Sequence, residues 1–186
     1  LLTQTVLPVA ANRGLPLALM LGVVRAQNSE LRLAGDGVAS ADLGAIANLC
    51  RDYSAQRFLC TVLAREDQHA LAVTARKFPN LHLFGCWWFC SIPVVADETT
   101  RMRFELLGHS FTPQHSDARV LEQLIYKWGD TQAMLKEILV NKYTSLANAG
   151  WSLEEHQIMR DVPGLLGGNA LEFMGLESAA SSPRVK

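Results

Sequence analysis

"RFLCTVLAREDQHALAVTARKFPNLHLFGC", Arg57 to Cys86, reads in three parts whose order decides the class of fold. Residues 57 to 63 are a short apolar run of the kind found in a strand buried on both faces. "EDQHALAVTARKF", 66 to 78, follows as a helix halted by Pro79, whose ring cannot continue the hydrogen-bond ladder. "LHLFGC", 81 to 86, is a second apolar run. Strand, helix, strand at this spacing is a βαβ unit, and such a crossover joins parallel strands.

The same alternation extends outward. Upstream, "PLALMLGV" (16 to 23) reads as a buried strand, and "SADLGAIANLCRDY" sets Leu43, Ile46, Ala47, Cys50 and Tyr53 at helical spacing, with Ser40 as the expected cap. Downstream, "LHLFGC" precedes a helix near 94 to 107. "SFTPQH" (110 to 115) then precedes "ARVLEQLIYKW", where Val120, Leu121, Leu124, Ile125 and Trp128 share one face. Four βα units in a row predict a parallel sheet. From Asp130 the pattern is helical only, with a stripe of Met134, Leu135, Ile138, Leu139 and Leu146 ending at Gly150, and Ser152 with Glu155 forming a capping box. The expected organisation is therefore 1–129 as βα units with chemistry at the strand ends, 130–176 as a helical extension, and 177–186, "ESAASSPRVK", as a loose tail.

Composition bounds the rest. With 186 residues and 49% hydrophobic content the chain can bury one sizeable core, which excludes a disordered protein. A net charge of -1 with scattered basic residues gives no footprint for nucleic acid or an anionic membrane, and no apolar run approaches the ~18 residues of a membrane span. The four cysteines, Cys50, Cys60, Cys86 and Cys90, are too few for a secreted disulfide framework, so the expectation is a cytoplasmic protein with reduced thiols. Cys86 and Cys90 lack the Cys-x-x-Cys spacing of a zinc clip, and the five histidines show no paired ligand spacing. The first residue is leucine, at once followed by what reads as the middle of a helix, so the chain is expected to be a piece of something longer.

Four βα units are half of a (β/α)8 barrel, which typically needs ~250 residues. The competing architecture is an open doubly wound sheet. No Gly-x-Gly-x-x-Gly or Gly-x-x-x-x-Gly-Lys is present to cradle a phosphate, and periodicity alone leaves the two architectures close to even. In both, ligands gather beyond the C-terminal ends of the strands. Those positions hold Arg25, Arg65, Trp87 with Trp88, and Asp117 with Arg119. Guanidinium groups hold carboxylates through paired hydrogen bonds, an indole offers a flat surface to a sugar, and a carboxylate can bind a metal or move a proton. A small, anionic, oxygen-rich substrate fits that set. Each residue also has an ordinary alternative: an ion-paired loop arginine, a core tryptophan, or Asp117 as cap of a helix beginning near Ala118. Neighbours on an extended chain point to opposite faces, so one tryptophan of the pair is expected at the mouth and the other in the packing. His115, two residues before Asp117, is the one histidine expected near that mouth.

The stretches "GVVRAQNSELRLAGDGV", "LAREDQHALAVTARKFPNLHLFGCWWF", "TRMRFELLGHSFTPQHSDARVLEQLIYKW" and "DVPGLLGGNALEFMG" resemble the C-terminal part of uronate (glucuronate) isomerases, (β/α)8 barrels of the amidohydrolase superfamily. The likeness runs from about Gly14 to Gly175. It implies an α/β fold, the C-terminal half of a TIM-type barrel followed by helices. It also implies an aldose-ketose isomerase acting on D-glucuronate or D-galacturonate in hexuronate catabolism, as a portion not active alone. By the resemblance, Asp117 and Arg119 are catalytic, Arg25, Arg65 and Trp87 bind substrate, and Trp88 turns away. Asp117 is further implied to contact one divalent ion, zinc or similar, whose other ligands belong to a missing N-terminal part. The family's His-x-His pair has no match here, and Met20 stands where one branch carries a histidine. The implied partners are a small hexuronate and, at full length, further copies of the chain. Two other readings stay open: a metal-dependent hydrolase on the same scaffold, and a non-catalytic remnant that binds sugar acids.

Overall fold

Apolar runs that must cover both faces become strands, and the computed structural model, which describes residues 1–176, contains six. They are β1 (Leu17–Leu21), β2 (Val23–Val24), β3 (Gly37–Val38), β4 (Phe58–Val62), β5 (Leu81–Phe84) and β6 (Phe111–Thr112). β1, β4, β5 and β6 form one parallel sheet in that order, while β2 and β3 make a small antiparallel ladder in the loop after β1. The expected four βα units are present, and the architecture is that of a partial TIM barrel followed by helices. The tail at 177–186 lies outside the described residues.

Among the described residues seven α-helices accompany the sheet: α1 (Leu7–Asn12), α2 (Leu43–Asp52), α3 (Gln68–Ala75), α4 (Pro93–Leu107), α5 (Glu122–Asn148), α6 (Glu155–Pro163) and α7 (Asn169–Met174). Register and alternation sort the strand residues onto two faces. One face carries Leu17, Leu19, Leu21, Phe58, Cys60, Val62, Leu81, Leu83 and Phe111. All of them join a single core with Ile46 and Cys50 of α2, Leu71 of α3, Phe104 of α4 and Leu135, Ile138 and Leu139 of α5. This is the outer, helix-covered face. The other face carries Met20, Leu59, Thr61, His82, Phe84 and Thr112. There the His82 ring stacks on Phe173 of α7 with centroids 4.9 Å apart, and its Nε2 lies 2.9 Å from Thr112 Oγ1.

Several local expectations change. β6 is only two residues long, because Pro113 has no N–H to offer a ladder. The helix expected from Ala118 begins at Glu122 and runs unbroken past Asp130 to Asn148 as one element. Val120 and Leu121, just before it, and Ile125 in its first turn are exposed, and the buried stripe starts only at Thr131. Asp42 caps α2 by accepting the Ala45 N–H at 2.9 Å, while Ser40 instead donates to Asp67 Oδ1 at 2.5 Å. The capping box of α6 is formed by Glu154 and Gln157, two residues beyond the expected pair.

Gly85, the first residue after β5, has φ of 59°, and a Cβ there would run into the Cβ and backbone of His115. Close approach and left-handed backbone both require glycine at this point. Gly85→Ala should therefore lower stability by about 3 kcal/mol. Urea denaturation measures this, and a loss near zero would mean that the 113–117 loop does not pack on Gly85 in solution.

Burial, and secondarily the Arg103 charge, push the His82 imidazole down from 6.5 to about 4. The folded protein thus binds fewer protons at this ring than the unfolded chain between those values. The contribution of neutral His82 is complete above pH 6.5 and is lost as pH falls toward 4, on the order of 3 kcal/mol in all. Denaturation midpoints taken across that window should fall with pH, and His82→Gln, which keeps a polar group toward Thr112, should flatten the slope.

Candidate functional site at the strand ends

Because the four strands are parallel, the loops following them leave the sheet at one edge. Leu21 is level with Val62 and Phe84 with Thr112, so Arg25, Arg65, Trp87 and Asp117 all lie within five residues of strand ends on that edge. Topology alone brings them to one side of the molecule.

Trp87 and Asp117 touch. The Trp87 indole Nε1–H donates to Asp117 Oδ2 at 2.9 Å, with Trp87 only 7% exposed while Asp117 is open to solvent. Asp117 has φ of 39°, in the left-handed region that aspartate tolerates better than most residues. Its loop is held from α5: the Lys127 ammonium donates to the Ser116 carbonyl and lies 3.5 Å from that of Asp117, and Trp128 Nε1–H donates to Ser116 Oγ at 3.1 Å. Asp117 does not cap α5, which starts five residues later. Among the described residues no hydrogen bond reaches Asp117 Oδ1, so one carboxylate oxygen is fixed and the other is free.

His115 lies at the same place, its ring tilted against Phe84 with centroids 4.9 Å apart. Its Nδ1 is buried without a partner among the described residues. Burial makes the ring harder to protonate, the nearby Asp117 charge works against that, and Lys127 reinforces it. Trp88 departs from the packing role expected of it. The chain leaves the extended conformation there, with φ of 45°, and enters a 3-10 turn from Trp88 to Cys90, so strand alternation no longer governs its direction. Its ring is half-buried and stacks on the exposed Phe89 at 4.8 Å.

Two of the three arginines already have acid partners. Arg65 donates through Nε and Nη2 to the two carboxylate oxygens of Glu98 on α4, each at 2.9 Å, a bidentate fork in which both side chains are exposed. Arg25 is paired with Asp36, which also accepts the Ala26 N–H at 2.9 Å; that backbone donor, and then the guanidinium, hold the Asp36 carboxyl below its ordinary value. Arg119 donates its backbone N–H to Gln123 at 2.7 Å, and its exposed guanidinium has no hydrogen bond among the described residues. Trp87 and Asp117 therefore make a direct contact, whereas Arg25 and Arg65 share the edge but turn to their own carboxylates.

Sequence reasoning missed a buried polar layer beneath the loops. Arg103 of α4 is 0% exposed, donating Nη1–H to the Gly85 carbonyl at 2.8 Å and Nη2–H to Gln68 Oε1 at 2.9 Å. Gln68 in turn donates Nε2–H to the Val62 carbonyl at 2.9 Å, and Cys90 Sγ reaches the Leu63 carbonyl at 3.0 Å. Asp67, also buried, accepts from Ser40 and from the Ala41 N–H at 2.6 Å, tying the loop after β1 to the loop after β4. Nothing in the spacing of Arg103 set it apart from the other charges of an amphipathic helix. The nearest signal was its place on the inward stripe with Thr99, Thr100 and Phe104.

As a metal site the donor set falls short. Among the described residues no three His, Cys, Asp or Glu side chains stand together to hold an ion, and Asp117 has one oxygen already bonded to an indole. A lone carboxylate oxygen binds a divalent cation weakly. The described residues do not assemble a metal centre by themselves. Nor is any described helix long and apolar enough to cross a membrane.

No protein-family model matches the chain, and no curated relative does. Among solved structures, a uronate isomerase from Bacillus halodurans C-125 is similar at 46% identity and a TM-score of 0.93 over 99% of this chain and 44% of that one. A uronate isomerase from Thermotoga maritima is similar at 17% identity and a TM-score of 0.71, over 90% of this chain and 38% of that one, a likeness of fold alone. The chain thus spans less than half the length of the relatives it matches. Nearly the whole chain superposes on the first of them at 46% identity, which is consistent with a portion of a uronate isomerase.

Proposed function

We propose that this chain supplies the strand-end residues of a site that interconverts an aldose acid and a ketose acid, with hexuronates such as D-glucuronate and D-galacturonate as substrates. The observation that carries the reading is the 46% identity to a uronate isomerase over 99% of the chain. The geometry is compatible with it. Moving a carbonyl from C1 to C2 takes a proton from C2, passes through an enediolate, returns a proton to C1 and shifts a hydroxyl proton from O2 to O1. No bond to water forms and no carbon-carbon bond breaks.

In this reading Asp117 acts through its free Oδ1, while the Trp87 indole fixes Oδ2 and so limits rotation of the carboxylate. A positioned acid or base contributes about 10²-fold to 10⁴-fold. Arg119, with its guanidinium open to solvent, faces the developing negative charge without giving up a proton. Arg65 or Arg25 holds the C6 carboxylate. For Arg65 the Glu98 fork occupies the Nε and Nη2 edge and leaves Nη1 for a second acceptor. Trp87, being buried, contributes the edge that reaches Asp117 more than an open face for a sugar.

Turnover by the chain alone is expected to be absent, since half a barrel encloses only one side of a substrate and leaves the reacting atoms in water. The test is a chimera in which this chain replaces the matching 44% of the B. halodurans uronate isomerase. Incubated with glucuronate and with galacturonate, it should yield the ketose acid. Hydrolytic products would favour the metal-dependent hydrolase, and a folded chimera that binds uronate without turnover would favour a binding remnant.

In that chimera Asp117→Asn should lower kcat by about 10²-fold to 10⁴-fold with the melting temperature preserved. Rates near the parent's would remove Asp117 from the chemistry. Trp87→Phe keeps the ring in its buried place and deletes the donor to Asp117, so it should reduce kcat by about tenfold, the weight of one hydrogen bond. Trp88→Ala, at a half-buried surface position, should change stability by less than about 1 kcal/mol; paired melting curves and rates separate the two tryptophans.

A further inference from the structure

We propose that Arg103 is a positioning residue of the strand-end site: its buried guanidinium sets the relative height of the loops that carry Arg65 and Trp87. The argument begins with what its burial costs. A guanidinium removed from water costs several kcal/mol unless hydrogen bonds and an opposite charge compensate. Arg103 is fully buried, and its acceptors are two neutral oxygens, the Gly85 carbonyl and Gln68 Oε1. Its Nε–H has no partner among the described residues.

The ionisable thiols nearby do not compensate it either. Cys60, Cys86 and Cys90 lie close, but burial pushes the Cys60 thiol up to about 12 and raises the other two, so all three stay neutral. A leucine or methionine would fill the same volume without the penalty. What those side chains lack is two donors in a rigid fork reaching two different loops.

The acceptors explain why the fork is useful. Gly85 is the residue at which the chain turns out of β5 toward Trp87, two positions on, and against which His115 packs. Gln68 opens α3, three residues after Arg65, and its amide holds the Val62 carbonyl at the end of β4. One side chain therefore clamps the exits of two neighbouring strands. Cys90 adds a second link between the same loops by reaching Leu63. The Trp87 indole then passes the setting on to Asp117. Among the described residues Arg103 makes no hydrogen bond to Arg65 or Trp87, so it acts through backbone placement and is not a catalytic residue.

The test uses this chain as it is. The indole N–H resonance of Trp87, assigned with Trp87→Phe, reports the bond to Asp117 without need of substrate or turnover. Arg103→Lys, which retains the charge but not the fork, and Gln68→Leu, which severs the link to β4, should both shift that resonance and the backbone resonances of Arg65 while the melting transition stays cooperative. Binding of glucuronate by the chimera, followed by titration, should weaken by about tenfold in each; this arm alone rests on the reading of the site as a uronate site. If the parent chimera shows no uronate binding but the indole shift appears in this chain, the clamp stands and the substrate assignment fails. A folded variant of either kind with the Trp87 and Arg65 resonances unchanged overturns the proposal. So does loss of the fold in both, which would make Arg103 a purely structural residue.

Discussion

A single charge buried without a counter-charge constrains the upper edge of this sheet. The Arg103 guanidinium is satisfied by a carbonyl at the end of β5 and an amide at the start of α3, and that amide is bonded to the end of β4. These are among the few bonds linking adjacent strand exits, since the ladder itself stops at Val62 and Phe84. Hydrogen bonds in a dry interior are stronger than in water and more costly to leave unmade, so their geometry resists small displacements. Asp67 does the same between the exits of β1 and β4 through Ser40 and Ala41. The loops that bear Arg25, Arg65 and Trp87 are thus fixed from beneath by polar side chains, while the hydrophobic core fixes the strands below them.

The fold was legible in the sequence where the signal was a face. Residues such as Leu17, Phe58, Cys60, Leu83 and Phe111 are apolar because helices cover them, and the βα alternation follows from that requirement alone. What the sequence concealed were features decided by a partner remote in the chain. Ser40 looked like a helix cap because its position suited one, yet Asp67, 27 residues on, claims its hydroxyl, and Asp42 takes the capping role. Val120, Leu121 and Ile125 had the spacing of a buried stripe and stand exposed, since periodicity marks a face without saying what lies opposite it. For the site, the strand-end rule located Arg25, Arg65, Trp87 and Asp117 on one edge. The acids Asp36 and Glu98 escaped notice because a pairing across 11 or 33 residues leaves no local trace.

Those two acids change the electrostatics that a bare count of arginines suggests. The Arg65–Glu98 pair is exposed on both sides and so worth about 0 to 1 kcal/mol, which an incoming anion could readily offset, whereas the Asp36 side chain that holds Arg25 is only 9% exposed. Under the proposed reading, a guanidinium already held by its acid has less entropy to lose when a ligand binds. The Arg65 fork is the better placed of the two, because Glu98 leaves a second guanidinium edge unused. Net charge near the edge is reduced, and selectivity for an anion then depends on geometry more than on long-range attraction.

Geometry in turn depends on α5, which reaches the site from the far side of the sheet. Lys127 and Trp128 hold the Ser116 and Asp117 backbone just where β6 has ended, after two residues, and no ladder remains to guide the chain. The same helix buries Leu135, Ile138 and Leu139 against the outer face of the sheet further along. Its two halves therefore do different work: the later turns anchor it in the core, and the second turn, with Lys127 and Trp128, carries that anchorage to the Asp117 loop. A short strand followed by proline would otherwise leave the carboxylate on a free segment. With a rigid 27-residue helix behind it and the Trp87 indole in front, the Asp117 carboxylate is held from two elements at once while its second oxygen stays open to a ligand.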